Sequence, residues 1–532
     1  MLRRIRNART SRPAPADELL DGEVARHLAA AGGRVVVIDE DLAAPQAEDE
    51  LFLALATGER CGVVVVDVPG RDWPALLARL LLHVAPGGAV VFRGRAERGT
   101  EPLVKRLRTL DAVHSGERAP QAEGRKGEDV RALAAAIGGW HEAGPHVVVT
   151  SAVRALAKLR EAEVDRLLAE GRLRGEVLAT VPAVQFTARC TVAQTESAVR
   201  HAEVREIEAP AMALRAYDDV VCAPRQVVVQ DGVLLPDTFR RSHRRRLRSA
   251  ALTDLAPRFA ALRTPAEDAE PLAGTWVHLD SEYPGHFGHL LTEQLSRMWA
   301  WPRILEEVPR PRVLLSTRTP RTAPYAFERD VLAAFGVAES DIRVIDRPVR
   351  VERLLSATPM LAQPGWVHPG IDQAWLAAGA ALAAGAEERE RPRWIFCARR
   401  TDKRACRNAP EVEALFAAEG FAIIYPEEHP LAEQAAMFRA ADVVGGYAGA
   451  AMFNLCWTDG PKDVVLLVPE SYTAENEYLM AAVQGHRLSL LWCPSDVALP
   501  EEGFSAEAYQ ASYVADLVKD GDWLRSRLRA AR

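Results

Sequence analysis

A strand-to-helix junction decides the predicted fold of the C-terminal third of this chain: Val443-Val444-Gly445-Gly446-Tyr447-Ala448-Gly449-Ala450-Ala451-Met452-Phe453-Asn454. A β-branched run enters a series of small residues, and a helical stretch follows. Such a junction lets backbone N–H groups and the positive end of a helix approach an anion. It predicts a diphosphate site; close packing of strand and helix without a ligand is the alternative interpretation.

Alternating strands and helices surround this junction. The predicted strands are 394–397, 422–425, 443–445 and 464–468, and the predicted helices are 410–419 and 431–440. An earlier alternation has strands 276–279, 312–316 and 342–345 and helices 286–301 and 324–335. The Ala-rich stretch 374–385 is predicted to cross between the two. Two successive Rossmann-like units place a ligand cleft between them, at the carboxyl ends of their strands.

A basic loop follows the predicted strand 394–397. It carries Arg399, Arg404 and Arg407 and ends at Asn408, which with Glu411 is predicted to cap the next helix. Guanidinium groups pair phosphate oxygens in a bidentate manner, so a loop at this end of a strand favours phosphate recognition. A solvated run of charges is the alternative.

A third segment opens the predicted helix 286–301. His289, Glu293 and Arg297 recur every four residues and therefore share one helix face. A carboxylate beside a histidine raises its basicity, as a general base acting on a hydroxyl requires. A capped, salt-bridged helix is an equal alternative. His286 and His289 also suggest a metal, but no third ligand is evident nearby.

Together and in this order, the three segments resemble glycosyltransferase family 61. The resemblance rests on the Gly-His helix motif at 288–297, the Arg-rich turn at 399–408 with Gly420-Phe421, and the G-x-x-G-A-x-x-x-N turn at 446–454. It covers about residues 217–492, including Pro426-Glu427-Glu428 and Leu431-Ala432-Glu433-Gln434.

The resemblance implies a GT-B fold, inversion at the anomeric carbon, a nucleotide-sugar donor (commonly a UDP-sugar) and no metal. On this reading His289 or Glu293 is expected to act as the catalytic base, a hypothesis that rests on their position on the helix, and His286 and Arg297 are expected to contact the substrate. The predicted donor contacts are Arg399, Arg404, Arg407, Asn408, Gly446, Gly449, Ala450 and Asn454. Two positions depart from the family pattern: Ala448 stands where many members have histidine, and His286 where plant-like members often have asparagine.

The N-terminal part predicts a parallel α/β sheet with strands 34–38, 63–68, 89–92 and 147–150. Asp39, Asp67 and Ala85-Pro86-Gly87-Gly88 resemble a SAM-dependent methyltransferase over residues 20–150. The glycine-rich turn for the cofactor has no counterpart before Val24. A degenerate, non-catalytic Rossmann-like domain is therefore favoured over a working methyltransferase. The charged stretch 117–129 is predicted to be a loop.

The composition of the chain disfavours several classes of protein. A net charge of -7 disfavours nucleic-acid binding, and seven scattered cysteines suggest neither a zinc site nor a disulfide framework. No stretch is apolar enough to span a bilayer. Two basic runs are predicted to be solvated, with anionic lipid (for the second run also an anionic acceptor) as the alternative: residues 3–12 and residues 240–248.

The predicted organisation is α/β throughout: a disordered basic tail (1–19), a degenerate Rossmann-like domain (20–152), a helical connector (153–204), an acceptor-side lobe (205–375) and a donor-side lobe (376–532). The chain is expected to be a cytoplasmic glycosyltransferase, with peripheral attachment at the inner face of the membrane as an option. High Ala and Arg usage suggests a GC-rich bacterial genome, and hence a surface or capsular glycan as acceptor. A methyltransferase with a glycan-binding C-terminal part and a non-catalytic nucleotide- or glycan-binding protein are the alternatives.

Overall fold

The computed structural model describes residues 15–44, 47–94, 100–120, 123–197, 205–319, 321–400, 403–501 and 503–531. The arginines of the basic tail, up to Arg12, lie outside the described residues. The prediction of a disordered tail is wrong for residues 15–19, because a helix begins at Pro15. Proline is well suited to a first helical turn, where its missing N–H would have no partner.

The strands are, in chain order, β1 (Arg34–Ile38), β2 (Cys61–Val66), β3 (Val84–Phe92), β4 (Ile137–Ala143), β5 (His146–Ser151), β6 (Leu156–Lys158), β7 (Gly175–Val181), β8 (Val184–Thr187), β9 (Thr191–Gln194), β10 (Glu206–Ala209), β11 (Met212–Ala223), β12 (Val227–Gln230), β13 (Val233–Leu234), β14 (Leu252–Ala256), β15 (Phe259–Leu262), β16 (Glu270–His278), β17 (Arg312–Ser316), β18 (Ile342–Ile345), β19 (Val349–Ala357), β20 (Leu361–Ala362), β21 (Trp366–Val367), β22 (Trp394–Cys397), β23 (Ala422–Ile424), β24 (Val443–Tyr447), β25 (Asp463–Pro469) and β26 (Arg487–Cys493).

The α-helices are α1 (Pro15–Ala31), α2 (Glu40–Ala43), α3 (Glu48–Ala56), α4 (Trp73–Leu80), α5 (Glu101–His114), α6 (Gly124–Ala136), α7 (Glu161–Ala169), α8 (Phe287–His289), α9 (Trp301–Glu307), α10 (Ala326–Ala333), α11 (Ile371–Ala384), α12 (Ala409–Ala418), α13 (Leu431–Ala440), α14 (Asn476–Gln484), α15 (Ala506–Gln510) and α16 (Leu517–Ala530). A π-helix covers Leu290–Gln294, and the 3-10 helices that matter for the site are Leu295–Ala300 and Ala450–Trp457.

The chain forms two compact units, which differ from the five predicted segments. Unit 1 comprises residues 1–176, 218–272 and 347–352, and unit 2 comprises 177–217, 273–346 and 353–532. Residues 218–272, predicted within the acceptor-side lobe, thus belong to unit 1. The predicted helical connector 153–204 is wrong apart from α7, because β6, β7, β8 and β9 fall within it.

Unit 1 contains a sheet of order β1-β2-β3-β5-β4. The first three strands are parallel, as predicted from their valine-rich runs. The parallel prediction is wrong for 147–150: β4 and β5 form a hairpin, so β5 runs antiparallel to both neighbours. The loop predicted at 117–129 is also wrong in its second half, where α6 begins at Gly124.

The parallel strands of this sheet follow one another in chain order, β1-β2-β3. Ligands of open α/β sheets bind where the strand order reverses, and these three strands contain no such point. Gly88 of the methyltransferase-like segment serves close packing instead: a Cβ there would lie 2.1 Å from the carbonyl oxygen of Gly62. This geometry gives no support to a working methyltransferase.

Unit 1 also contains a β-hairpin, formed by β12 and β13. β12 pairs antiparallel with β13 through the turn at Asp231-Gly232, where both residues have positive φ (46° and 91°). Asp-Gly is favoured in such a two-residue turn, because both residues tolerate this conformation.

Unit 2 contains two parallel arrays. β16, β17 and β18 pair in parallel, and a six-stranded sheet has the order β23-β22-β24-β25-β26-β9, also parallel. The strands predicted at 312–316, 342–345 and 394–397 are confirmed with their bounds. The α/β class is thereby confirmed, whereas the GT-B arrangement of the two arrays stays a prediction.

The predicted helix 286–301 is irregular. A single α-turn, α8, passes into the π-helix Leu290–Gln294 and then into the 3-10 helix Leu295–Ala300 before α9 begins. A π-turn inserts an extra residue into the helical repeat and is often found at functional sites. Local spacing alone did not indicate this change, because apolar and polar residues still recur at nearly helical intervals.

Candidate active site

The turn after β24 brings two guanidinium groups to one glycine. A Cβ on Gly449 would lie 3.3 Å from Arg399 Nη1 and 3.5 Å from Arg404 Nη2. The φ of Gly449 is +142°, a conformation that residues with a side chain rarely adopt. Neither guanidinium forms a salt bridge within the described residues. Two cations therefore lie beside a backbone turn that has no side chain to shield it.

The surrounding groups hold both arginines in place. Arg399 donates to the carbonyl oxygen of Ala448 at 3.2 Å and also to that of Arg404. Burial, more than any neighbouring charge, lowers the pKa of Arg399 from its ordinary value, yet a guanidinium remains charged at neutral pH. Arg404 lies over the rings of Tyr472 and Tyr509, at 5.1 and 4.9 Å from their centroids. Stacked guanidinium groups lose little further freedom when they bind an anion.

A buried carboxyl group lies behind the turn. Glu477 Oε1 accepts the N–H of Gly449 at 2.6 Å, and the Tyr472 hydroxyl lies 3.5 Å from the same oxygen. Burial raises the pKa of Glu477, opposed by the hydrogen bonds it accepts and by the charge of Arg404. The Gly449 N–H, predicted as a diphosphate donor, is therefore already bonded to a protein acceptor. Glu477 fixes the turn rather than leaving that amide open.

The histidine segment forms an ordered cluster. His289 Nδ1 lies 2.7 Å from Glu293 Oε1, and both side chains are largely buried. Tyr283 stacks on the His289 ring at 4.7 Å between centroids, and His286 contacts its edge at 4.8 Å. With Nδ1 directed at a carboxylate, Nε2 is the nitrogen left to accept a proton.

This cluster and the arginine turn belong to one site. A Cβ on Gly288 would lie 3.2 Å from the Cβ of Ala450, so the start of α8 packs against the start of the 3-10 helix 450–457. Desolvation first, and then the charges of His289, Lys403 and Arg404, lower the pKa of His286 to about 4, against the influence of Glu293. The His286 side chain is exposed, so solvent screens part of the effect of these charges on its pKa. His286 is accordingly neutral at pH 7.

The other predicted site residues make different contacts. Arg407 forms a bidentate pair with Asp496 on the surface, at 2.9 and 3.0 Å. Asn408 does not cap α12 through its side chain, contrary to prediction, because its amide bonds the backbone of Ala515 in both directions. These contacts tie the basic loop to the C-terminal segment, and the two side chains are not among the atoms that a Cβ on Gly449 would meet within 4 Å.

Three further predicted residues are buried in the packing. A Cβ on Gly446 would lie 2.4 Å from Met452 Sδ, so this glycine serves the close approach of strand and helix. Asn454 is fully buried and bonds Gln434, Ala451 and Trp457. Arg297 is also buried, with Nη1 3.4 Å from His278 Nδ1. The packing interpretation of the Gly-rich motif therefore applies to Gly446, and the anion interpretation remains for Gly449.

Sequence reasoning missed four residues of this site: Tyr283, Tyr472, Glu477 and Tyr509. Tyr283 lies three residues before His286 in the chain, and its aromatic ring is the signal that could have indicated it. The other three come from the loop after β25, from α14 and from α15, where no local motif marks them. Only the fold brings them to Arg404 and Gly449.

The described residues show neither a cluster of metal ligands nor a membrane-spanning helix. No group of three or more His, Cys, Asp or Glu side chains could hold a metal ion there. Within the same residues, no helix has both the length and the apolar character needed to cross a membrane.

Comparison with known proteins identifies the C-terminal part of the chain. Residues 287–465 match the model of the family described as Glycosyltransferase 61. The resemblance to this family is thereby confirmed for that segment, and the match indicates a glycosyltransferase domain. It does not extend to residues 20–152, where the methyltransferase-like resemblance remains without support. No curated protein matches the chain.

Proposed function

We propose that unit 2 transfers a sugar from a nucleotide-sugar donor, most simply a UDP-sugar, to an acceptor hydroxyl with inversion and without a metal ion. The observation that carries this proposal is the convergence of Arg399 and Arg404 on Gly449, beside the His289–Glu293 pair. A glycosyltransferase binds both a donor and an acceptor. The two clusters supply the groups that each requires.

The donor diphosphate would bind at the arginine turn. Its charge grows as the bond to the sugar breaks, and fixed cations stabilise a transition state that develops charge. Arg399 and Arg404 offer two guanidinium groups for that purpose. The first N–H groups of the 3-10 helix 450–457 add a weaker positive potential. In this proposal the arginines take the part that a divalent cation plays in other transferases.

The acceptor hydroxyl would be activated by His289. Its Nε2 accepts the hydroxyl proton, Glu293 stabilises the resulting imidazolium, and the acceptor oxygen attacks the anomeric carbon. The bond from that carbon to the diphosphate oxygen breaks in the same displacement, with its electron pair going to the diphosphate. A single displacement inverts the configuration. His286, neutral at pH 7, and Tyr283 would line the acceptor side.

The biological setting is also a proposal. The high Ala and Arg content is typical of GC-rich bacterial genomes, which favours a surface or capsular polysaccharide as acceptor. We propose a cytoplasmic location, with peripheral attachment at the inner face of the membrane as an option.

A thermal-shift screen tests the donor class. The full chain is heated with a panel of UDP-, GDP-, dTDP- and CMP-sugars, with and without EDTA. Binding to the native state raises Tm, so we expect stabilisation by at least one nucleotide sugar that EDTA leaves unchanged. The matched variants R404Q and R407Q each remove one arginine of the basic loop. Only Arg404 lies beside Gly449, whereas Arg407 pairs with Asp496, so only R404Q should affect donor binding. The absence of any shift, or an equal shift in R404Q, would refute the proposed donor site.

A further inference from the structure

Unit 1 contains a large cavity lined by arginine. Its volume is about 860 Å³, which lies within the range of small-molecule binding sites. Six arginines face it: Arg60, Arg154, Arg172, Arg174, Arg263 and Arg350. Three carboxylates share the lining, those of Asp219, Asp231 and Glu267, so the lining carries three more positive than negative charges. This excess is local, because the whole chain has a net charge of -7.

Three of the arginines form salt bridges with the three carboxylates. Arg154 pairs with Glu267, and Arg350 Nη1 lies 2.7 Å from Asp219 Oδ1. Arg174 bridges Asp219 and Asp231. Arg172 pairs with Glu170, which does not line the cavity, and donates to the carbonyl oxygen of Leu53.

Arg60 and Arg263 are the uncompensated pair. Arg60 Nη2 donates only to the carbonyl oxygen of Ala155, at 3.3 Å, and Arg263 Nε donates to that of Leu252, at 3.2 Å. Neither forms a salt bridge within the described residues. Burial and the positive charge of Arg154 lower the pKa of Arg60, as expected for a cation close to another cation. A neutral carbonyl stabilises a guanidinium less than an ionised partner does.

Apolar side chains form the rest of the lining. Leu156, Val221, Val229 and Leu262 contribute to the wall of the cavity. A simple inorganic ion makes no use of such a surface, whereas an organic anion can pack its carbon skeleton there while its charged groups meet the arginines.

We propose that this cavity is a second ligand site, which binds an organic polyanion through Arg60 and Arg263. The ligand class is a small molecule bearing two or more phosphate or carboxylate groups, each of which a guanidinium can pair in a bidentate manner. Every lining residue belongs to unit 1, so the inference is independent of the glycosyl transfer proposed for unit 2.

Calorimetric titration of the full chain tests the site. The probes are fructose 1,6-bisphosphate for the phosphate source and citrate for the carboxylate source, with lactose as an uncharged control. All proteins carry R404Q, so that binding near Gly449 does not contribute. We expect at least one of the two anions to bind, with an affinity that falls as salt increases, and no binding of lactose.

Variants locate the binding. R60Q/R263Q should weaken the bound anion at least tenfold, and R263Q alone should weaken it severalfold if the double variant does not fold. R166Q is the matched control, because Arg166 is an exposed arginine of unit 1 paired with Glu50 outside the cavity. Equal affinity in the cavity variants and R166Q, or no binding of either anion, would overturn the proposal.

Discussion

His289 and Glu293 form a hydrogen-bonded pair, with Nδ1 and Oε1 2.7 Å apart, one turn along an irregular helix. The contact holds the imidazole in one orientation. Tyr283 covers one face of the ring and His286 meets its edge. A histidine held in this way suits a general base, because its proton-accepting nitrogen is fixed in position.

Removal of this base should abolish most of the transfer. We expect H289A to lower kcat by about 10²- to 10⁴-fold, the range typical of general-base catalysis, with donor affinity retained. E293Q should have a smaller effect, because the imidazole remains. The measurement is steady-state transfer, together with donor binding and circular dichroism as folding controls. Unchanged turnover in both variants would remove His289 and Glu293 from the mechanism.

The two glycines of the last motif should separate packing from donor binding. G446A forces a Cβ against Met452 and Cys397, so we expect a loss of about 1–3 kcal/mol in unfolding free energy with donor affinity intact. G449A strains a φ of +142° and approaches Arg399, so it should weaken donor binding. Denaturant unfolding and calorimetry measure the two effects. A G449A variant that binds donor as tightly as G446A would argue against the anion site.

Glu477 should act by fixing the turn. E477A removes the acceptor of the Gly449 N–H and leaves a buried donor without its partner, which costs about 1–3 kcal/mol. E477Q keeps an oxygen in place and should recover most of the stability and of the donor affinity. Thermal unfolding and donor titration compare the two variants. Equal losses in both would mean that the charge of Glu477, rather than its hydrogen bond, is what matters.

A buried histidine should make stability depend on pH. His486 is fully buried, accepts the N–H of Lys462 at 3.0 Å, and has its pKa lowered to about 3 by burial and then by Lys462 and Arg487. As pH falls below about 6.5, His486 becomes protonated in the unfolded chain but stays neutral in the folded chain. The contribution of neutral His486 to the free energy of unfolding is therefore fully present above pH 6.5, and it falls by about 2 kcal/mol by pH 5.

The matched comparison isolates this effect. H486Q should lose less unfolding free energy between pH 7 and pH 5 than the wild type, whereas H114Q, which changes an exposed histidine, should keep the wild-type slope. Urea unfolding at each pH provides the measurement. Parallel slopes for the wild type and H486Q would show that His486 is not the group responsible.

Much of the fold could be predicted from local patterns. The β-branched runs at 312–316 and 342–345 and the helix 431–440 have the predicted bounds, because each element's own composition favours it. Failures came where tertiary contacts decide the conformation. The antiparallel direction of β5 depends on its hairpin with β4, and the π-helix at 290–294 is not encoded by hydrophobic spacing.

The site was predicted in part for the same reason. Charged residues on loops after strands are visible in the sequence, so Arg399, Arg404 and the His289–Glu293 pair can be picked out as candidates from it, and their roles stay predictions. Arg404 and Arg407 are three residues apart, and the sequence does not distinguish them. In the structure Arg404 lies against Gly449, whereas Arg407 pairs with Asp496. Glu477 is 28 residues from Gly449 in the chain, and only the folded sheet brings the two together.

Release of nucleoside diphosphate from nucleotide sugars, in the presence of EDTA, tests the central claim most directly. The wild type should release diphosphate from at least one nucleotide sugar at a rate that the chelator does not change. R404Q should reduce that rate by about 10²-fold or more, in line with the loss of a charge-stabilising group, and R407Q should retain it. No release from any donor, or equal rates in R404Q and R407Q, would contradict a glycosyltransferase site at Gly449.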